Sequence, residues 1–213
     1  HHETAAELTM LGRALVYEKR FDDAAAILRQ ALAIRERVYG PMHPMVASTV
    51  NELGNIAINL ERYDEAEADF RRMLDIYRAT YGDKHYLIGI ATSNLAGAFY
   101  GRHQYPRAEE LYRDAVRRFS EAQGPNHMNT GIARMKLGRS LLRQRRFTEA
   151  QVETLAGYDI MVKQANPSVT FIQNARKDLV AEYDSLKQPE KAARFVAELG
   201  DTAKKATSVA KQK

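Results

Sequence analysis

A repeat of 42 residues constrains what this chain can fold into more than any other feature of it. Gly40, Gly82 and Gly124 stand 42 apart, and so do His43, His85 and His127. The same step separates KRFDDA (19–24), ERYDEA (61–66), HQYPRA (103–108) and RRFTEA (145–150), with a degraded copy, KQPEKA, at 187–192. Leu11, Leu53, Leu95, Leu137 and Leu179 add a third series in register. Several unrelated residue types recurring at one period specify a repeat architecture, in which each unit buries its apolar face against its neighbours.

Within one period the pattern is that of two helices. In the second unit Val46, Val50, Leu53, Ile56, Ala57 and Leu60 recur at steps of three and four, which predicts an amphipathic helix of roughly 17 residues. After a break at ERYD, residues Ala66, Phe70, Met73, Leu74 and Tyr77 mark a second helix. Asp64 with Glu67, and Thr148 with Gln151, have the spacing of a capping box at its start. Glycine ends the helix, and Pro44 suits the first turn of the next one. The segments VYGPMHPMV (38–46), TYGDKHYLI (80–88) and AQGPNHMNT (122–130) therefore lie between helix pairs. Stacked units hold equivalent positions apart, so these histidines do not converge on a metal, and Asp83 has no acidic counterpart at 41 or 125. A turn or capping role is expected of them.

With 45% hydrophobic and 28% charged residues, the 213-residue chain is that of an ordered globular protein with a substantial core. No apolar run approaches the ~20 residues of a membrane span, so no membrane partner is expected. The absence of cysteine removes disulfides, thiolate metal sites and cysteine nucleophiles, and fits a cytoplasmic location. The net charge of +5 is uneven: residues 1–106 hold 12 Lys and Arg against 14 Asp and Glu, and residues 107–213 hold 20 against 13. A basic second half favours acidic partners or nucleic acid. No HExxH, GxxxxGK[ST], G-x-S-x-G or dinucleotide-binding glycine motif is present, so neither catalysis nor a metal or cofactor is expected. The chain opens on HHETAAEL, without an initiator methionine or a signal pattern, and His1 falls one period before His43. That start reads as a segment of something longer.

The pattern of Leu-Gly at 11–12, 53–54 and 137–138, with Leu-Ala at 95–96, precedes the aromatic–acid–x–alanine turn by eleven to twelve residues. With Ala24, Ala66, Ala108 and Ala150 as the small turn residue and Phe70 or Tyr112 following, it resembles the tetratricopeptide repeat. The 42-residue period and the YGPMHP connector are similar to the kinesin-light-chain type, which is common also in bacterial signalling proteins. The resemblance implies an all-α, right-handed solenoid of about five helix-turn-helix units. It divides a single domain over 1–200 into units at 1–39, 43–81, 85–123, 127–165 and 168–200. The basic tail 201–213 is expected to lack fixed structure. Unit four departs from the pattern at Thr154 and Gly157. Unit five departs at Val180 and at NPSV (166–169), as a terminal capping repeat would. By the same resemblance, the C-terminal repeats of a signalling protein would carry an upstream module such as a serine/threonine kinase domain.

The resemblance further implies that an extended peptide lies in a concave groove lined by the first helix of each unit. Its groove positions place Met10, Glu52, Asn94, Lys136 and Asp178 at one register and Arg13, Asn55, Gly97, Arg139 and Ala181 three residues on. Tyr17, Asn59, Gly101, Arg143 and Ser185 follow at the next turn. Asn55, Asn59 and Asn94 can each donate to and accept from a peptide backbone. Lys136, Arg139 and Arg143 stack three cations that attract carboxylate or phosphate, unless they are ordinary solvated surface. Gly97 and Gly101 either leave room for a close-approaching ligand backbone or relieve packing between repeats. The expected function is a non-catalytic protein-interaction scaffold with an acidic peptide or protein ligand. Single-stranded nucleic acid on the basic half is a less favoured partner, and self-association a further alternative.

Overall fold

The computed structural model describes residues 2–210, with side chains over 3–200. It consists of ten helices: α1 (His2–Tyr17), α2 (Phe21–Tyr39), α3 (Pro44–Asn59), α4 (Tyr63–Tyr81), α5 (Tyr86–Gly101), α6 (Tyr105–Gln123), α7 (Met128–Arg143), α8 (Phe147–Val162), α9 (Val169–Ser185) and α10 (Pro189–Ala210). No strand occurs among the described residues. The fold is all-α, and each repeat supplies one antiparallel helix pair of the solenoid type. The chain divides into two compact units, His1–Arg118 and Phe119–Lys213, with the boundary inside α6.

In the first unit the repeat glycines are notches. A Cβ on Gly54 would stand 2.6 Å from the ring of Phe70, and one on Gly12 would stand 2.8 Å from Leu28. Phe70 and Leu28 are wholly buried as a result, each contributing about 1.5–3 kcal/mol by the area it removes from water. Leu53 and Ile56 of α3 join Leu15, Ala24, Ala25 and Leu28 in one cluster, which ties the first helix pair to the second. Gly101 ends α5 against the ring of Tyr63, which occupies the space a Cβ would need.

Every turn within a pair has the same backbone. Lys19, Glu61 and His103 hold φ of 60°, 57° and 61°, and the amide N–H of the following residue reaches back five residues to one carbonyl: Arg20 to Leu15 at 2.9 Å, Arg62 to Ala57 at 2.8 Å, Gln104 to Phe99 at 2.9 Å. This is the Schellman closure, with a charged or polar residue in the left-handed slot. The second helix then begins at once, and its N-cap residues Arg20 and Arg62 make no side-chain cap. The capping boxes expected at Asp64 and Thr148 are accordingly absent. Asp64 lies inside the first turn of α4 and pairs with Arg102, and Thr148 lies inside α8, whose N-cap is Arg146. The tight turn starts the helix one to two residues before the acid, which leaves Asp64 to complement the helix dipole.

Between pairs the connector histidine caps the next helix. His43 Nδ1 accepts the Met45 N–H at 3.1 Å, and His85 Nδ1 accepts the Leu87 N–H at 3.3 Å. An accepting Nδ1 carries no proton, so the ring hydrogen sits on Nε2. The rings stack on Tyr39 at 4.7 Å and on Tyr81 at 4.5 Å.

The second unit uses the same turns, with Arg145 and Lys187 at φ of 61° and 57°, and the same cap, His127 Nδ1 accepting from Asn129 at 3.1 Å. Its helix pair α7–α8 is joined differently. Gly138 faces Thr154, and Gly157 brings α8 so close that a Cβ there would stand 2.5 Å from the Gly131 carbonyl. Backbone thus packs on backbone where α1–α2 and α3–α4 insert a large side chain. The fifth pair, whose sequence pattern is weakest, is held by aromatic packing. Phe195 meets Tyr158 edge-on at 5.4 Å and stacks on Tyr183 at 6.0 Å. Glu198 accepts from Tyr158 Oη at 2.5 Å and from Arg176 Nε at 2.8 Å. α10 continues to Ala210, and 211–213 of the tail lie outside the described residues.

Candidate functional site

In the first unit the expected groove positions share one face of α1, α3 and α5. Between α1 and α3 lies an open depression of ≈ 420 Å³, lined by Arg13, Val16 and Tyr17 on one side and Asn51, Glu52, Asn55, Ile56 and Asn59 on the other. Its floor is apolar, and its rim carries amides and one ion pair. Tyr17 is 90% exposed, an uncommon cost for an aromatic ring.

The amides form a chain. Asn94 Nδ2 donates to Asn51 Oδ1 at 2.8 Å, and Asn55 Nδ2 reaches the same oxygen at 3.4 Å. Asn59 Nδ2 donates to the Asn55 carbonyl at 2.8 Å. Asn55 and Asn59 are exposed, and an extended chain laid on them would find both donors and acceptors. Arg13 donates through Nε and Nη2 to Glu52 Oε1 at 3.0 and 2.5 Å, and its guanidinium is held more firmly charged by that hydrogen bond and the nearby carboxylate. The two groove glycines differ. Gly101 has a packing partner in Tyr63, whereas the nearest atom to a Cβ on Gly97 would be Tyr112 Oη at 3.8 Å, ordinary contact that leaves room for a side chain.

In the second unit Lys136, Arg139 and Arg143 lie along α7, the first two half-buried and Arg143 exposed. Arg139 is paired with Asp178 of α9, Nε and Nη2 to Oδ2 at 2.9 and 2.8 Å. Burial, with the Arg139 charge beside it, lowers the Lys136 ammonium to about 8. The stripe therefore carries less positive charge than three cations in isolation. Behind it, Glu182 is wholly buried, its Oε1 accepting from Thr154 Oγ1 at 2.7 Å and its Oε2 without a hydrogen-bond partner among the described residues. Burial above all raises this carboxyl to about 8.

Two of these features escaped sequence reasoning although the sequence held a signal for them. The pairs Arg13–Glu52 and Arg139–Asp178 are each 39 residues apart, one repeat less one helical step of three. Pairing every residue with the one 39 further on finds both. Asn51, which joins Asn94 to Asn55, lies one residue off the expected stripe and has no such rule. Among the described residues no group of three or more His, Cys, Asp or Glu is arranged to hold a metal, and no helix is long and apolar enough to cross a membrane.

Comparison with known proteins bears on the fold and the family. A Podosopora anserina protein of nearly identical kinesin-light-chain TPR-like repeats has the same fold at a TM-score of 0.75 and 18% identity, covering 98% of either chain. BtubC from P. vanneervenii matches at 0.80 and 18% identity, over 97% of this chain and 82% of its own. NprR, solved in complex with its cognate peptide NprX, matches at 0.74 and 16% identity, over 95% of this chain and 56% of its own. No curated protein sequence matches significantly. The sequence profile of the tetratricopeptide repeat matches residues 4–44, 45–121 and 87–152. That match spans well over half of the chain and coincides with the helix pairs and their notch glycines, and the chain belongs to the tetratricopeptide repeat family.

Proposed function

We propose that this protein is a non-catalytic interaction scaffold that holds an extended peptide segment of a partner protein. The observation that carries the proposal is the depression between α1 and α3, where an exposed tyrosine, exposed asparagines and an apolar floor converge. Amide side chains satisfy the backbone of an extended ligand without regard to its sequence, and the Tyr17 ring supplies apolar contact. NprR is solved with a peptide and a Rap protein with the Competence and Sporulation Factor, and both have this fold, which supports a peptide as ligand class here.

The preference for acidic residues rests on α7 of the second unit. A ligand carboxylate there competes with Asp178 for Arg139 and gains Lys136 and Arg143 beside it. Peptide-display panning tests both parts. Tyr17→Ala with Asn55→Ala and Asn59→Ala removes only exposed side chains, so the fold survives while the affinity of enriched peptides drops roughly tenfold or more. Charge reversal at Lys136, Arg139 and Arg143 removes acidic residues from the enriched set. Unchanged enrichment in the first variant overturns the groove, and an unchanged acidic bias in the second overturns the preference.

A further inference from the structure

A second cavity in the first unit, of ≈ 360 Å³, lies between α2, α3 and α4. Ile56 lines both this cavity and the groove depression and separates the two. Its inner surface is aliphatic, with Leu32 from α2, Leu53 and Ile56 from α3, and Leu60 at the C-cap of α3. Its volume is that of a site for a small organic molecule. α3 brings no charge to it, while α2 contributes Arg29, the N-cap of α4 contributes Arg62, and α4 itself contributes Glu65 and Asp69.

The charges do not cancel. Arg29 pairs with Glu65 at 3.6 Å and Arg62 with Asp22 at 2.9 Å. Further along α4, Arg71 pairs with Glu67 at 2.8 Å and Arg72 with Glu36 at 2.5 Å. Each arginine thus has a carboxylate of its own, and Asp69 is the surplus anion, with no hydrogen bond or close ion pair among the described residues. It is half-buried against the aliphatic wall, where desolvation, with the Glu65 charge added, raises its carboxyl to about 6 despite Arg29 and Arg72. A buried carboxylate without a partner is costly, and a cation brought beside it relieves that cost.

We propose that this cavity binds a small protonated amine carried on an apolar body, with Asp69 as its counter-ion and Leu32, Leu53 and Leu60 enclosing the apolar part. A polypeptide segment laid over the site would have to break the Arg29–Glu65 and Arg62–Asp22 bridges that tie α2 to α4 and its N-cap, whereas a small molecule fits beside them. The site is independent of the peptide groove, so its test stands whether or not that groove binds peptide.

The test is a titration of the full chain with 2-phenylethylamine, 2-phenylethanol and phenylacetate, followed through the methyl resonances of Leu32, Leu53, Ile56 and Leu60. The amine shifts these methyls saturably and binds about tenfold more tightly than the alcohol, with phenylacetate weakest. The isosteric Asp69→Asn variant, checked as folded by circular dichroism, binds amine and alcohol alike. A second readout needs no variant: lowering the solution to about pH 5 protonates Asp69 and erases the preference. Equal affinity of amine and alcohol in the wild type, a preference that survives Asp69→Asn, or no saturable shift at about 10 mM amine would each overturn the site.

Discussion

The helix pair α3–α4 in the first unit and the pair α7–α8 in the second keep the same register, yet they are joined by different chemistry. In the first, Gly54 is a notch for a wholly buried phenylalanine. In the second, Gly138 meets Thr154, and the missing ring volume is recovered by backbones closing on Gly131 and Gly157. The hydroxyl of Thr154 is then satisfied by Glu182, which stands where the repeat places Ile56 and Ala98 earlier in the chain. The repeat fixes where a joint falls. What fills the joint is open to local exchange, and a polar filling brings a titratable group into the core.

The largest effect follows from emptying the first joint. Phe70→Ala removes a fully buried ring from a rigid notch and costs about 3–5 kcal/mol in chemical denaturation. Thr154→Ala removes far less volume but takes away the one hydrogen bond Glu182 makes to a side chain among the described residues, which costs about 1–3 kcal/mol. Equal losses at the two sites would erase the distinction between them.

The pH dependence is the sharper discriminator. The folded protein holds the Glu182 proton to about 8, against an ordinary value of 4.5. Folding therefore binds a proton between those values, and stability is greatest below that window and falls as the pH rises through it. Lys136 acts in the opposite sense above it. Its value is lowered from 10.5 to about 8, so the unfolded chain holds the extra proton and stability rises with pH across that range. The second unit is thus least stable near pH 8. Glu182→Gln abolishes the fall on the acidic side, by a difference on the order of a few kcal/mol at the extremes, and leaves the rise on the basic side. Urea midpoints of both proteins across the pH range decide the matter, and parallel curves would sink the assignment.

The same contrast explains what the sequence disclosed. Helix pairs, connector caps and notch glycines were legible because each is local or strictly periodic: Gly54 and Phe70 are 16 residues apart in one hairpin, and the capping histidine acts two residues away. The capping boxes were misplaced because Asp64 and Thr148 carry the right spacing, while the Schellman turn before them starts the helix earlier. Of the groove, the stripe positions came from the repeat, but their charge state did not. Arg139 reads as free cationic surface until Asp178, from the next repeat, is brought to 2.8 Å. Whether a glycine clears space for a ligand or for a ring is likewise a question of three dimensions, and only the placement of Tyr63 gave Gly101 its packing role.

The smallest prediction concerns the element both units share without variation. The turn within each pair puts a side chain in the left-handed region, Glu61 at 57° and Arg145 at 61° among them. For an L-residue that conformation costs about 1–2 kcal/mol, which glycine does not incur. Glycine also gains freedom in the unfolded chain, which offsets part of the benefit. Glu61→Gly and Arg145→Gly should each stabilise by about 0.5–1 kcal/mol, read as a higher urea midpoint at unchanged slope. Because both turns close with the same six-to-one hydrogen bond, Arg62 to Ala57 at 2.8 Å and Arg146 to Leu141 at 3.1 Å, the two gains should agree despite the different joints beside them. A gain at Glu61 alone would mean that the α7–α8 joint constrains its own turn, and the backbone repeat would then be less uniform than its dihedral angles imply.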